Sequence, residues 1–179
     1  MRHRSVVITC LIALTVAAAQ AQAPAAKSPA KPAAAKPAAK APAHPAAAHA
    51  APMLNAADVK WGPAPPMIMP GAQFAVLDGD PGKPGPFAVR LKLPAGYKIM
   101  PHWHPTDEMV TVISGALKAG MGEKWDDASM KAFNAGAYAR MPKKSPHYVQ
   151  AQDETVVQVT ATGPFEFVYV NAKDDPRKK

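Results

Sequence analysis

From Met53 onward the chain carries its large apolar residues in short runs broken by Gly, Pro and Asp. Phe87, Val89, Leu91 and Leu93 alternate with Ala88, Arg90 and Lys92, the period-two pattern of a half-buried strand. Residues 109–113 (Met-Val-Thr-Val-Ile) form a β-branched run stopped by Ser114-Gly115. Residues 155–160 and 165–170 read as two further strands, with Gly163-Pro164 as the turn between them. Shorter strands fit at 73–77, 97–100, 116–121, 129–133, 137–141 and 147–151. No stretch places an apolar stripe at helical spacing between caps, and there is no internal repeat. Many short strands with frequent turn signals predict an all-β domain, a sandwich or barrel, over 53–179 with its core at about 60–173.

The pattern before Met53 is different. Arg2 and Arg4 precede an uncharged apolar stretch from Ser5 to Ala19, and Ala19-Gln20-Ala21 fits a cleavage site. Residues 1–21 therefore read as a signal peptide, and the mature protein is predicted to be periplasmic or secreted. The stretch falls short of the roughly 20 apolar residues of a spanning helix, which disfavours an uncleaved anchor. No membrane span is expected once the leader is removed. Residues 22–52 are almost entirely Ala, Pro and Lys. Frequent proline interrupts every helical start, and nothing there can be buried, so the segment reads as a disordered tether. Cys10, the single cysteine, lies in the leader, so the mature chain has no disulfide and no thiolate ligand.

Charge changes the picture less than its total suggests. The chain carries +8, but six of its 21 basic residues precede Met53, where there is no acid. The remaining 15 basic and 13 acidic residues leave the domain near neutral. Arg177, Lys178 and Lys179 belong to a frayed end on this reading, and Lys143, Lys144, Lys173 and Arg177 to a solvated edge. A nucleic-acid-binding face is not predicted.

The candidate chemistry lies in the domain's three histidines, His102, His104 and His147. His102 and His104 are two apart, which on an extended chain turns both rings to one face. Glu108 follows at the start of the next strand. Two imidazoles and a carboxylate entering one interior call for a positive partner, and a divalent cation supplies one. Imidazole with carboxylate suits Fe, Mn, Ni, Cu or Zn.

Here the chain resembles the cupins. Gly96, His102, His104, Glu108 and Gly115, separated by five, one, three and six residues, match every position of the first cupin motif. Gly136, Pro142 and His147 match the second motif in part, with Lys144 in place of its usual glycine and Ala151 in place of its asparagine. The resemblance implies a single jelly-roll barrel of the RmlC-like type. It also implies one divalent transition metal near the mouth, held by His102, His104, Glu108 and His147, with two coordination positions open.

Cupin relatives include dioxygenases, isomerases, decarboxylases and lyases. The first functional reading is a metalloenzyme of dioxygenase, lyase or isomerase type acting on a small molecule. Glu108 would then be the catalytic proton acceptor. The second is a non-catalytic, metal-dependent binding or sensing module. Val110 and Val112, alternating from Glu108, face inward, so the inner wall suits an apolar or enolisable ligand. Trp103 and Tyr148 point away from the metal by parity, and Gln158 is either a hydrogen-bond partner behind a ligand or an ordinary polar strand residue. Tyr97, Ile99, Trp103, Met109, Thr111 and Ile113 alternate outward, an apolar set that predicts a homodimer.

Overall fold

The computed structural model describes residues 52–179; the leader and the Ala/Pro/Lys stretch up to residue 51 lie outside the described residues. Eleven strands are present: β1 (Gly62–Pro63), β2 (Gln73–Asp78), β3 (Gly85–Leu93), β4 (Lys98–Trp103), β5 (Glu108–Ser114), β6 (Ala116–Met121), β7 (Lys131–Asn134), β8 (Tyr138–Met141), β9 (His147–Ala151), β10 (Thr155–Gly163) and β11 (Val168–Tyr169). They form two antiparallel sheets, ordered β1-β2-β3-β10-β5-β8 and β11-β4-β9-β6-β7. No helix among the described residues is long and apolar enough to cross a membrane.

The alternation along β3 and β10 sets the core. Phe87, Val89, Leu91 and Leu93 are buried, and so are Val157, Val159 and Ala161, which pair with three of them across the ladder. Facing them from the second sheet are Ile99, Leu117 and Tyr169. Side chains of this size each contribute roughly 1.5–3 kcal/mol when fully buried. The two inner faces thus close over an apolar interior, as expected of a jelly roll.

Three details depart from the sequence reading. Ile99 is buried in the core rather than facing outward. The reason is a register shift in β4: Ile99 pairs with Val149 and His102 with His147, so β4 spends one residue more than β9 over that interval. The bulge resets the alternation, and Ile99 and His102 both face inward. Second, only Val168–Tyr169 of the run 165–170 pairs as a strand. Phe165 and Phe167 instead lie against the site from an irregular segment. Third, Arg177 is not frayed. Its guanidinium donates twice to Asp175, at 2.8 Å each, and to the Phe167 carbonyl at 3.1 Å.

The turn before β9 keeps its shape without a glycine. Lys144 takes φ 58°, the left-handed region, and its N–H donates to the His104 carbonyl at 2.8 Å. That bond ties the turn carrying His147 to the segment carrying His104. Tyr148 faces away from the site as its parity predicts, yet it is completely buried. Its ring covers Gly120, where a Cβ would run into it, and its hydroxyl reaches Ser129 Oγ at 2.8 Å and the Asp126 carbonyl at 3.2 Å.

Candidate metal centre

His102 comes from the end of β4, His104 from the residue just past it, Glu108 from the first position of β5 and His147 from the first position of β9. All four are buried, the histidines at 2 % exposure and Glu108 at 6 %. The four side chains named from sequence are therefore brought together.

Each imidazole is oriented by the main chain. Nδ1 of His102 lies 2.8 Å from the Met100 carbonyl, that of His104 2.7 Å from the Glu166 carbonyl, and that of His147 3.0 Å from the Ser145 carbonyl. A carbonyl oxygen only accepts, so each Nδ1 carries the proton and donates it. In the neutral ring each Nε2 is then left with its lone pair. One ligand atom from each of the three histidines falls within a group whose members are all within 4.8 Å of one another.

Glu108 stands beside that group rather than within it. Its Oε2 is 3.3 Å from His147 Nε2 and 3.6 Å from His104 Nε2. The structure thus shows a three-histidine cluster with a carboxylate against two of its members. His104 Nε2 is buried with no hydrogen-bond partner, a costly state unless something positive meets it. Acceptor atoms facing one another in an apolar interior are what a divalent cation satisfies, so the residues present fit a metal ion.

The electrostatics agree. Burial, reinforced by the neighbouring His147 and His104, pushes His102 well below the ordinary imidazole value, so it stays neutral and ready to ligate. Burial likewise lowers His104, although Glu108 and the bond to the Glu166 carbonyl pull the other way. Burial pushes the Glu108 carboxyl up, but hydrogen bonding with His147 and the attraction of His104 and His147, which act when those rings take up a second proton, outweigh it. The carboxyl sits below its ordinary value and is ionised at neutral pH.

Sequence reasoning missed the aromatic packing around these rings. Phe167 stacks on His102 at 4.7 Å with the planes 11° apart, and Phe165 stacks on His104 at 4.2 Å and 18°. The signal was present in the period-two run Phe165, Phe167, Tyr169, which repeats the spacing of the two histidines. Gln158 is not behind a ligand; its Oε1 accepts from Arg90 Nε at 3.2 Å. Asp107 accepts from Arg140 and from the Lys143 N–H, so it holds β5 to the turn after β8.

The site opens on a cavity of about 40 Å³ whose polar lining is His102, Glu108 and His147 and whose remaining lining is apolar, Val110 and Val112 included. A second apolar cavity of about 60 Å³ lies on the other side of Glu108 and Phe167.

A profile described as "Domain of unknown function (DUF4437)" matches residues 24–168. The chain belongs to that family. Its fold is the cupin jelly roll. Among solved structures, the polyketide cyclase RemF from Streptomyces resistomycificus aligns with a TM-score of 0.58 at 16% identity, over 70% of this chain and 89% of that one. An RmlC-like cupin from Ralstonia eutropha JMP134 aligns with a TM-score of 0.52 at 19% identity, over 69% and 74%. At these identities the likeness is one of fold. No curated protein matches this chain.

Proposed function

We propose that this cupin is an exported metalloenzyme of dioxygenase, lyase or isomerase type that acts on a small apolar or enolisable molecule. One observation carries the reading: three imidazole lone pairs and an ionised carboxylate converge in an otherwise apolar wall, next to a cavity. His102, His104 and His147 would hold the metal, with Glu108 beside them as the fourth ligand. A bound divalent metal would supply a Lewis acid for a substrate oxygen or a binding place for dioxygen. Glu108 is the group able to take a proton without becoming a cation, once its carboxylate swings off the metal. Phe165 and Phe167 hold the imidazole planes, and the valine-lined wall keeps water from the reacting end. Export rests on the leader pattern at 1–21. A homodimer is proposed from the outward apolar set, now without Ile99 and without Tyr97, which packs against the core and donates its hydroxyl to the Met69 carbonyl.

Glu108→Gln tests the reading. With three imidazoles left, the variant is expected to keep part of its metal and to lose most of its turnover, on the order of 10²-fold or more per bound metal. Metal content by elemental analysis and oxygen uptake or product formation with enolisable ketones and phenols give the ratio. Equal turnover per metal in the two proteins removes the proton-transfer role. No turnover in either, with metal bound, favours the non-catalytic binding module.

A further inference from the structure

The inner cavity is too small for more than the reacting end of any organic molecule, since about 40 Å³ holds one or two waters. It does not end there. An open groove of about 480 Å³ lies outside it and shares five of its lining residues: Ala119, Phe133, Tyr138, Ala139 and Met141. The groove runs along the seam where the edge strand of one sheet, β7, meets the edge strand of the other, β8. Its volume is that of a small-molecule site.

The charge lining this groove is one-sided. Lys131 and Arg140 are its charged residues, and no carboxylate lines it. Arg140 is already held by Asp107. Lys131 is placed differently. It pairs with Ala119 across the β6–β7 ladder, as Phe133 pairs with Leu117. Ala119 and Leu117 face the interior, so Lys131 stands on the same side of its strand as Phe133, with its own side chain exposed at the rim of the groove. It has no ion-pair partner among the described residues. Met121 and Tyr138, at 53 % and 60 % exposure, give the groove an uncovered apolar surface.

We propose that the β7–β8 seam docks a small anionic amphipathic molecule, its acid group on Lys131 and its apolar body over Phe133, Tyr138 and Ala139, with the far end reaching the three-histidine cluster. This rests on the metalloenzyme reading and names the substrate class for it. A charge on an edge strand also deters strand pairing between molecules. Either sign of charge serves that purpose, whereas an anion needs the cation, so charge reversal separates the two roles.

The test uses the full chain loaded with cobalt(II), with 2-naphthoate and its neutral analogue 2-naphthamide as probes in calorimetry. Wild type is expected to bind naphthoate about tenfold tighter than naphthamide. Lys131→Gln should remove that preference, and Lys131→Glu should reverse it while light scattering shows the same mass as wild type. Cobalt content should be unchanged in all three proteins, and naphthoate should alter the cobalt absorption. Equal affinity for the two probes in wild type, an undiminished preference in Lys131→Gln, or no binding of either probe overturns the groove proposal. Absence of bound cobalt in wild type overturns the metal-centre reading instead, and the probe preference is then read in the metal-free chain.

Discussion

His102 and His104 are neutral because burial makes them so, and that has a cost at low pH. In the unfolded chain both imidazoles titrate near the ordinary value of 6.5, while in the folded, metal-free protein His102 titrates well below it and His104 lower as well. Below 6.5 the unfolded chain therefore binds more protons than the folded one. The contribution of these groups is present above 6.5 and is lost as pH falls toward their folded values. Denaturant titrations of metal-free protein should show stability falling from about pH 6.5 downward, at up to about 1.4 kcal/mol per pH unit for each histidine. The lowered Glu108 carboxyl acts only from around 4.5 down, so the early onset belongs to the histidines. A flat profile between pH 7 and 5.5 would count against neutral burial of these rings.

At the scale of elements, the strand bearing His147 is held from behind. Tyr148 sits between β6 and the turn at Asp127–Ser129, with Trp125 5.1 Å away, and it leaves room at position 120 only for glycine. Gly120→Ala should cost about 1–3 kcal/mol by overpacking, read as a lower urea midpoint. It should also weaken metal binding, because the displaced ring is joined to His147. A variant with wild-type midpoint and metal affinity would show that the loop yields freely. This support was hidden from sequence, since no pattern says that a buried Tyr will lie across a particular glycine 28 residues earlier. The strands were legible wherever alternation was regular, as in β3 and β10, and the four site residues were legible from their spacing. Ile99 was misplaced because a bulge shifts parity and leaves no mark in the hydropathy pattern. The segment 165–170 read as one strand because its alternation is real, but only Val168–Tyr169 pairs, with β4, while Phe165 and Phe167 pack on the imidazoles.

For the whole molecule, the barrel carries its least comfortable groups in its interior, and a bound metal would relieve them. A ligand that binds only the folded state stabilises it by about 2.7 kcal/mol at a hundred times its dissociation constant. For a domain of this size that amounts to on the order of 10 °C in thermal midpoint. Midpoints measured with stoichiometric excess of each divalent metal, and again after chelation, should separate by this amount. The ranking should identify the preferred ion. His102→Ala with His104→Ala should abolish the shift, and an unchanged shift in that double variant would mean that the metal sits elsewhere.

All three Nδ1–H groups donate to main-chain carbonyls, those of Met100, Ser145 and Glu166, and none to a side chain. The aim of the ligands is thus stored in parts of the polymer that every amino acid shares. Inheritance cannot easily alter it by single codon changes at those three positions, since every replacement brings a main-chain carbonyl. Such a lineage is free to drift at its substrate groove while its metal geometry stays put. One scaffold could in this way acquire new chemistries without first losing the ion.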